Sequence, residues 1–482
     1  MSYTRRNTTD GATIMNKDLY DNLQDGIEEH GVKTSSFSSF KDCLEHCSLK
    51  GITKIIIDSS ISFKEVTSLS NVILEGNGNS ISIESYSSSI VLGDNVELNN
   101  ISFVFNREVQ NNAPFFLCDG SENIKFFNVN IENYNSLYTF IQIQQSSQRV
   151  KENKNFIFLS SNFKNGVEKG FLSLWGNCDN LVIKNCNFYS EIGSISNNYI
   201  AMATDFPSEV IDRKKRITID GCSFSNSNRM AIEIFYGYQI EIKNCKFLNI
   251  KGFDISIPTC REVSIFNNDF KGITGNEKPK PCLEVAGESI KINGNIFNFS
   301  DIAFGKFNSN RVYFFNNIVV KGSISNNPNS SVGIGLEFDM LINSFSNLFI
   351  EPYSIHTCGL FCNNRCISLL PSSKIHFFSP FKVENNEFIE SSEGTNQGGY
   401  FITTVLREHP TYDIFCKNVI QNKNVWYISF RASTLGEGHK RLLIKDNLFD
   451  TNAKTYISIT EDVTKVGNYD NYQEGSNSPI PI

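Results

Sequence analysis

Ile217-Thr-Ile-Asp-Gly-Cys-Ser-Phe224, Ile240-Glu-Ile-Lys-Asn-Cys-Lys-Phe247, Val263-Ser-Ile-Phe-Asn-Asn-Asp-Phe270 and Ile290-Lys-Ile-Asn-Gly-Asn-Ile-Phe297 are four versions of one phrase. Each alternates apolar and variable residues, reaches a Gly or Asn, and ends on Phe after a second short run. The landmarks Gly221, Asn244, Asn267 and Gly294 are 23, 23 and 27 residues apart. A period of this length with one or two apolar alternations per phrase marks a stacked repeat, because one coil is too small to bury its apolar face alone.

The landmark chemistry has a reason. A sharp bend between two strands often needs a residue at positive φ, which Gly adopts freely and Asn better than most. The next residue can then stack coil upon coil: Cys186, Cys222 and Cys245, followed by Asn268, Asn295 and Asn317. Stacked Asn side chains bond up and down the column, and Cys in that place behaves as a small buried hydrophobe. The phrase resembles the coils of right-handed parallel β-helices of the pectate-lyase-like type. The expected fold is therefore an all-β parallel β-helix with short N-terminal helices, one of them capping it.

Outward from the core stretch, landmarks recur at Asn100, Asn128, Ser160, Asn185 and Asn316. The wide 36-residue step from Asn185 to Gly221 holds a charged loop with Asp205, Glu209, Asp212 and Arg213. Inserted loops of a solenoid often line its binding face. The signal lapses between Asn316 and Asn385, 69 residues that leave room for two or three coils, and returns near Phe388, Asn418 and Phe449. The β-helix is placed over residues 54–460 and a tail over 461–482. Residues 35–49 read as an amphipathic helix with Phe40, Cys43, Leu44 and Cys47 on one face, within a capping segment at 32–53.

Residues 1–31 read differently. Asn16 can cap a short helix with the stripe Leu19, Leu23 and Ile27, and Asp18 in its first turn. Gly11-Ala-Thr-Ile-Met-Asn-Lys-Asp-Leu-Tyr-Asp-Asn-Leu-Gln-Asp-Gly-Ile27 resembles a leader found on bacteriophage tail proteins. The Gly-Asp-Gly phrase common in related proteins is absent here. Fold and leader together resemble a phage tailspike or tail-associated depolymerase. That resemblance implies a homotrimer on the virion, made in the host cytoplasm, attached to tail or baseplate proteins and acting on a bacterial surface polysaccharide.

The chain has 482 residues and a net charge of −7, a balance that argues against nucleic acid as a partner. No run approaches the ~20 apolar residues of a membrane span, and no secretory signal stands at the N-terminus. The 13 Cys lack a paired small-domain framework and read as reduced core thiols. Cys358, Cys362 and Cys366 lie four apart, but without a Cys-x-x-Cys pair or a fourth ligand they do not make a zinc site, and no metal or other cofactor is expected.

Chemistry is expected on another strand of each coil, where an acid recurs: Glu233, Asp254 and Glu284. They precede Asn244, Asn267 and Gly294 by 11, 13 and 10 residues, which puts them in one outward row with neighbours ~5 Å apart and the outer two ~10 Å apart. Like charges facing across strands are unfavourable, so such a row calls for a function. Carboxylate pairs at these separations suit glycoside hydrolysis, with Asp254 the central participant. The row can instead hold a hard cation or be a solvated face. Glu337 extends it if the register holds. Trp175, Tyr236 and Tyr238 are candidates to stack on sugar rings, and Arg229 and Arg261 to bind substrate near the acids. His356, His376, His409 and His439 are scattered in the last third. The phrases that mark polygalacturonases and pectate lyases are missing, so the fold resemblance alone transfers no reaction. A receptor-binding fibre without catalysis and a polysaccharide lyase or epimerase remain as alternatives.

Overall fold

A computed structural model of the protein describes residues 31–59, 61–106, 108–109, 111–144, 152–165, 170–191, 198–202, 214–272, 280–305, 311–326, 341–369, 373–390, 399–406, 413–421, 426–432, 440–449, 455–459, 463–469 and 472–473. The leader helix at 16–29, Glu337, His409, His439 and the loop holding Asp205, Glu209, Asp212 and Arg213 lie outside the described residues. Chain contacts divide into two units, Met1–Glu191 and Ile192–Ile482. Each is a right-handed parallel β-helix built from the expected phrase.

One coil carries three strands. In the second unit, Ile232–Lys243 forms the first two as one long strand bent at Tyr236 and Gln239, both at positive φ. Lys246–Leu248 is the third, across the turn at Asn244. The first half of such strands builds the first face, the second half the second face, and the short strands after the turn the third. Ile255–Phe266 and Lys280–Asn293 repeat the pattern, and all three long strands pair in parallel.

Left-handed backbone occurs at every expected landmark of the series, from Asn100 at φ 52° to Asn316 at φ 53°. It also occurs at Ser346, Asn363, Lys417 and Asp446, which resolves the lapse after Asn316 into further coils. The residue after each landmark builds a buried ladder in the second unit. Asn268, Asn295, Asn317, Asn347, Asn364, Asn386, Asn418 and Asn447 each offer Oδ1 to donors of the preceding coil. Cys222 and Cys245 head this column as buried thiols.

The third strands point one Phe per coil inward. Phe224, Phe247, Phe270 and Phe297 stack nearly parallel, with ring centroids 5.2, 4.9 and 4.7 Å apart. In the first unit Phe188 packs against Phe163 and Phe171. Offset aromatic pairs of this kind add to the area that they bury. All 13 cysteines are free and buried.

The capping helix spans Phe40–Lys50, later than the stripe suggested. Ser39 is its N-cap, its hydroxyl accepting from the Asp42 N–H, so residues 35–38 are excluded. Ser35 is tied instead to the Asp58 carboxylate through its N–H and hydroxyl. Phe40, Cys43 and Cys47 are buried while Leu44 is only half-buried. The Phe40 ring meets Phe63, which meets Phe103 and Phe115, so the helix covers the end of the first unit's core. Beyond residue 460, where the sequence suggested a tail, Val463–Tyr469 still pairs in parallel with Lys440–Lys445.

Candidate active site

The outward row of the first face is set by the inward apolar residues beside it. Ile232, Ile255, Leu283 and Ile302 pair strand to strand and point into the core. The residues that follow them pair in the same order, Ala201 to Glu233 to Ser256 to Glu284 to Ala303, and point away. Glu233 and Glu284 therefore share one row, two strand spacings apart, which is about 9–10 Å between backbones. The residue between them is Ser256, not Asp254.

Asp254 stands one position before the inward Ile255, at the corner where a coil enters the first face. In the first unit Phe115, Phe140 and Phe171 precede the first-face strands, and their rings stack at 5.5 and 6.1 Å. Tyr199, Ala231, Asp254 and Cys282 hold that place in the second unit, and all are buried. Asp254 is 0% exposed and forms a 2.8 Å ion pair with Lys280, itself 4% exposed. Burial pushes its carboxyl up to about 7 against the opposing pull of the ammonium. Its expected place in the outward row is thus corrected: counting back from the turn ignored the bulges between Glu233 and Gly237 and between Ile257 and Cys260, which shift the register.

Two side chains orient the remaining carboxylates. The buried Asn198 amide donates to Glu233 Oε2, and Asn198 Oδ1 accepts the Met230 N–H at 3.2 Å, which holds the amide in that orientation. Ser256 Oγ donates to Glu284 Oε2 at 2.9 Å. Glu233 is half-buried, Glu284 8% exposed and Ser256 2% exposed, so the site is recessed.

The other candidates fall at different places. Arg229 is exposed in the turn before the Glu233 strand, and its carbonyl accepts the Gly252 N–H at 2.7 Å. Tyr236 and Tyr238 are half-buried at the bend after Glu233, where the Tyr236 N–H donates to Thr259 Oγ1. Arg261 lies at the corresponding bend of the next coil, 3.6 Å from the Glu288 carboxylate. Trp175 belongs to the first unit, 37% exposed on its first face opposite Gln144, with its indole N–H directed to Ser173.

Asn198 and Lys280 escaped the sequence reading because each falls within one of the longer steps between landmarks, Asn185 to Gly221 and Asn267 to Gly294. Ser256 was legible in Asp254-Ile-Ser-Ile257 once the inward isoleucine was taken as the register mark. His356 and His376 also come together, directly opposite on adjacent strands with ring centroids 4.6 Å apart. No group of three or more His, Cys, Asp or Glu side chains suited to a metal ion occurs among the described residues.

No protein-family model matches the chain, and no curated protein does. Among solved structures it is similar to tailspike protein 3 of bacteriophage CBA120 at 11% identity and a TM-score of 0.31, covering 98% of this chain. This chain spans 65% of that tailspike's length. It is similar to the A-module of a mannuronan C-5 epimerase from Azotobacter vinelandii at 8% identity and a TM-score of 0.26, covering 90% of this chain and 99% of the module. Endopolygalacturonase I of Stereum purpureum matches at 12% identity and a TM-score of 0.22, over 88% of this chain and 98% of the enzyme. At such values none of the three transfers a residue role.

Proposed function

We propose that the protein is a tailspike-like component of a phage tail that binds and hydrolyses a bacterial capsular or wall polysaccharide, with Glu233 and Glu284 as the reacting carboxyls. The observation that carries this reading is the outward row, in which two carboxylates flank Ser256 on a recessed face. One carboxyl protonates the glycosidic oxygen as its bond to the anomeric carbon breaks. The other takes a proton from the water that forms the new bond on the opposite side. Two strand spacings leave room for that water and stand near the upper end of the roughly 6.5–9.5 Å of inverting enzymes, well beyond the ~5 Å of retaining ones. The homotrimer and the attachment through residues 1–31 rest on the leader phrase and the fold.

The test is digestion of a panel of purified capsular and wall polysaccharides by the full chain, followed by proton NMR of the products. Hydrolysis gives new reducing ends of inverted configuration, whereas elimination gives unsaturated ends. Glu233→Gln and Glu284→Gln should each lower the rate by about 10²-fold or more. Wild-type rates in both variants would overturn the assignment. A second reading, receptor binding without cleavage, is favoured by the low exposure of Ser256 and Glu284. It predicts polysaccharide binding and no new ends.

A further inference from the structure

The second face of the second unit carries a groove of about 260 Å³ that the carboxylate row does not use. Its floor is Thr218, Glu241 and Ser264, which pair directly across three adjacent strands. Arg216, Gln239 and Glu262, two residues earlier on the same strands, form the exposed rim. Arg216 and Gln239 are held at φ 54° and 56°.

The rim position is informative. It is the residue just before the first inward apolar of a second-face strand. In the first unit that place belongs to Asn95, Asn123, Asn155 and Asn180, whose amides bond to one another at 2.9–3.0 Å. Asn suits both the left-handed backbone and the ladder. Arg216 and Gln239 keep that backbone, as other non-glycine residues of the stack do, but cannot continue the Asn ladder. The groove thus replaces a self-satisfied ladder by a rim of one guanidinium, one primary amide and one carboxylate over a floor of two hydroxyls and the Glu241 carboxylate. Glu241 is already held by Lys243, whose ammonium also lies 5.5 Å above the Phe266 ring.

We infer that this groove is an accessory site for one neutral sugar residue, separate from the carboxylate row; the inference rests on the polysaccharide reading above. Planar groups that donate and accept side by side fit vicinal hydroxyls, and the volume lies below the ~300–1,000 Å³ of drug-sized pockets, so one ring is the fitting occupant. Glu241 and Glu262 offset Arg216 and Lys243, so the groove has no excess positive charge to hold a uronic acid. Glu233 lies six residues before Gln239 on one strand, with Tyr236 and Tyr238 between, so a polymer engaged at the row has a path over the bend to the groove.

Saturation-transfer NMR on the full chain tests it, with methyl glucoside, methyl galactoside, N-acetylglucosamine and glucuronate as probes. Saturation of at least one neutral sugar is expected, with glucuronate weaker. Ser264→Trp, which fills the groove, and the surface double variant Arg216→Ala/Gln239→Ala should each weaken that binding at least tenfold. Absence of neutral-sugar saturation, its survival in both groove variants, or tighter binding of glucuronate overturns the proposal. Sugar binding at the groove without cleavage of any polysaccharide would sink the hydrolase reading alone; cleavage with normal kinetics in both groove variants and no sugar saturation would sink the groove alone.

Discussion

Replacing Asn295 by Leu tests the internal ladder, because the hydrogen bonds predict not only a cost but an order of costs. Asn295 Oδ1 accepts the Asn268 N–H at 2.9 Å and the Asn268 amide at 3.0 Å. Its own amide donates to Ile265 O, Asn293 O and Asn317 Oδ1. Leu keeps the branched heavy-atom skeleton but leaves the Asn268 N–H and one amide hydrogen without acceptors in a dry core, at about 1–3 kcal/mol each. Ile265 O also loses its amide donor, whereas Asn317 Oδ1 still takes the Asn295 N–H. The expected loss is about 3–5 kcal/mol. Asn268→Leu should be cheaper by about one such orphan, since only the Cys245 N–H relies on Asn268 Oδ1. Urea unfolding followed by far-ultraviolet circular dichroism measures both. Equal losses, a larger loss for Asn268→Leu, or values below ~1 kcal/mol for both would refute the directional ladder as a source of stability.

Phe247→Ala removes a fully buried ring between Phe224 and Phe270 and should cost about 3–5 kcal/mol in the same assay; a surface-like value under ~0.5 kcal/mol would show that the coil register is wrong. The burial of Asp254, only partly offset by Lys280, makes stability fall as pH rises. Asp254 is raised to about 7 in the fold against an ordinary 3.8, so between those values the native state holds a proton that the unfolded state has released. Its contribution is full below the lower value and lost on approaching the upper one, about 3 kcal/mol between roughly pH 5 and pH 8. The difference between wild type and Asp254→Asn/Lys280→Met, taken across that range by urea unfolding, should show this slope, and a flat difference would contradict it.

The legible part of the fold was its backbone logic. Gly221, Asn244, Asn267 and Gly294 announce positive φ by residue type, and the alternation before them announces strands. Ser346 and Lys417 do the same job without an announcing residue, because the stack around them holds the conformation against a modest local preference. The coil from Ser346 to Asn363 is also only 17 residues, and the strand that serves its two faces, Ser354–Cys362, has 9 residues where Ile232–Lys243 has 12. Hence the middle of the second unit lost its period on paper while keeping its ladder in space.

The site was half legible for a related reason. Glu233 and Glu284 follow an inward apolar residue, whereas Asp254 precedes one, and in Gly252-Phe-Asp-Ile255 the flanking apolar residues look alike on both sides. What separates the cases is the corner. A residue just before the first-face strand turns inward, as Phe140 and Phe171 show in the first unit, so an acid there must find a partner in the core, and Lys280 supplies it. A residue just after the inward apolar faces out on a paired strand, where a bonded lattice fixes its Cα and leaves only the side chain to orient. Asn198 and Ser256 then complete that orientation. A reacting pair gains from being carried on such a lattice rather than on a loop, since a displacement of ~1 Å can reduce a rate by about 10²-fold. The ladder beneath the second and third faces and the carboxylate row on the first are therefore linked: the Asn column holds the coil spacing constant, and constant spacing holds Glu233 and Glu284 apart by two strands.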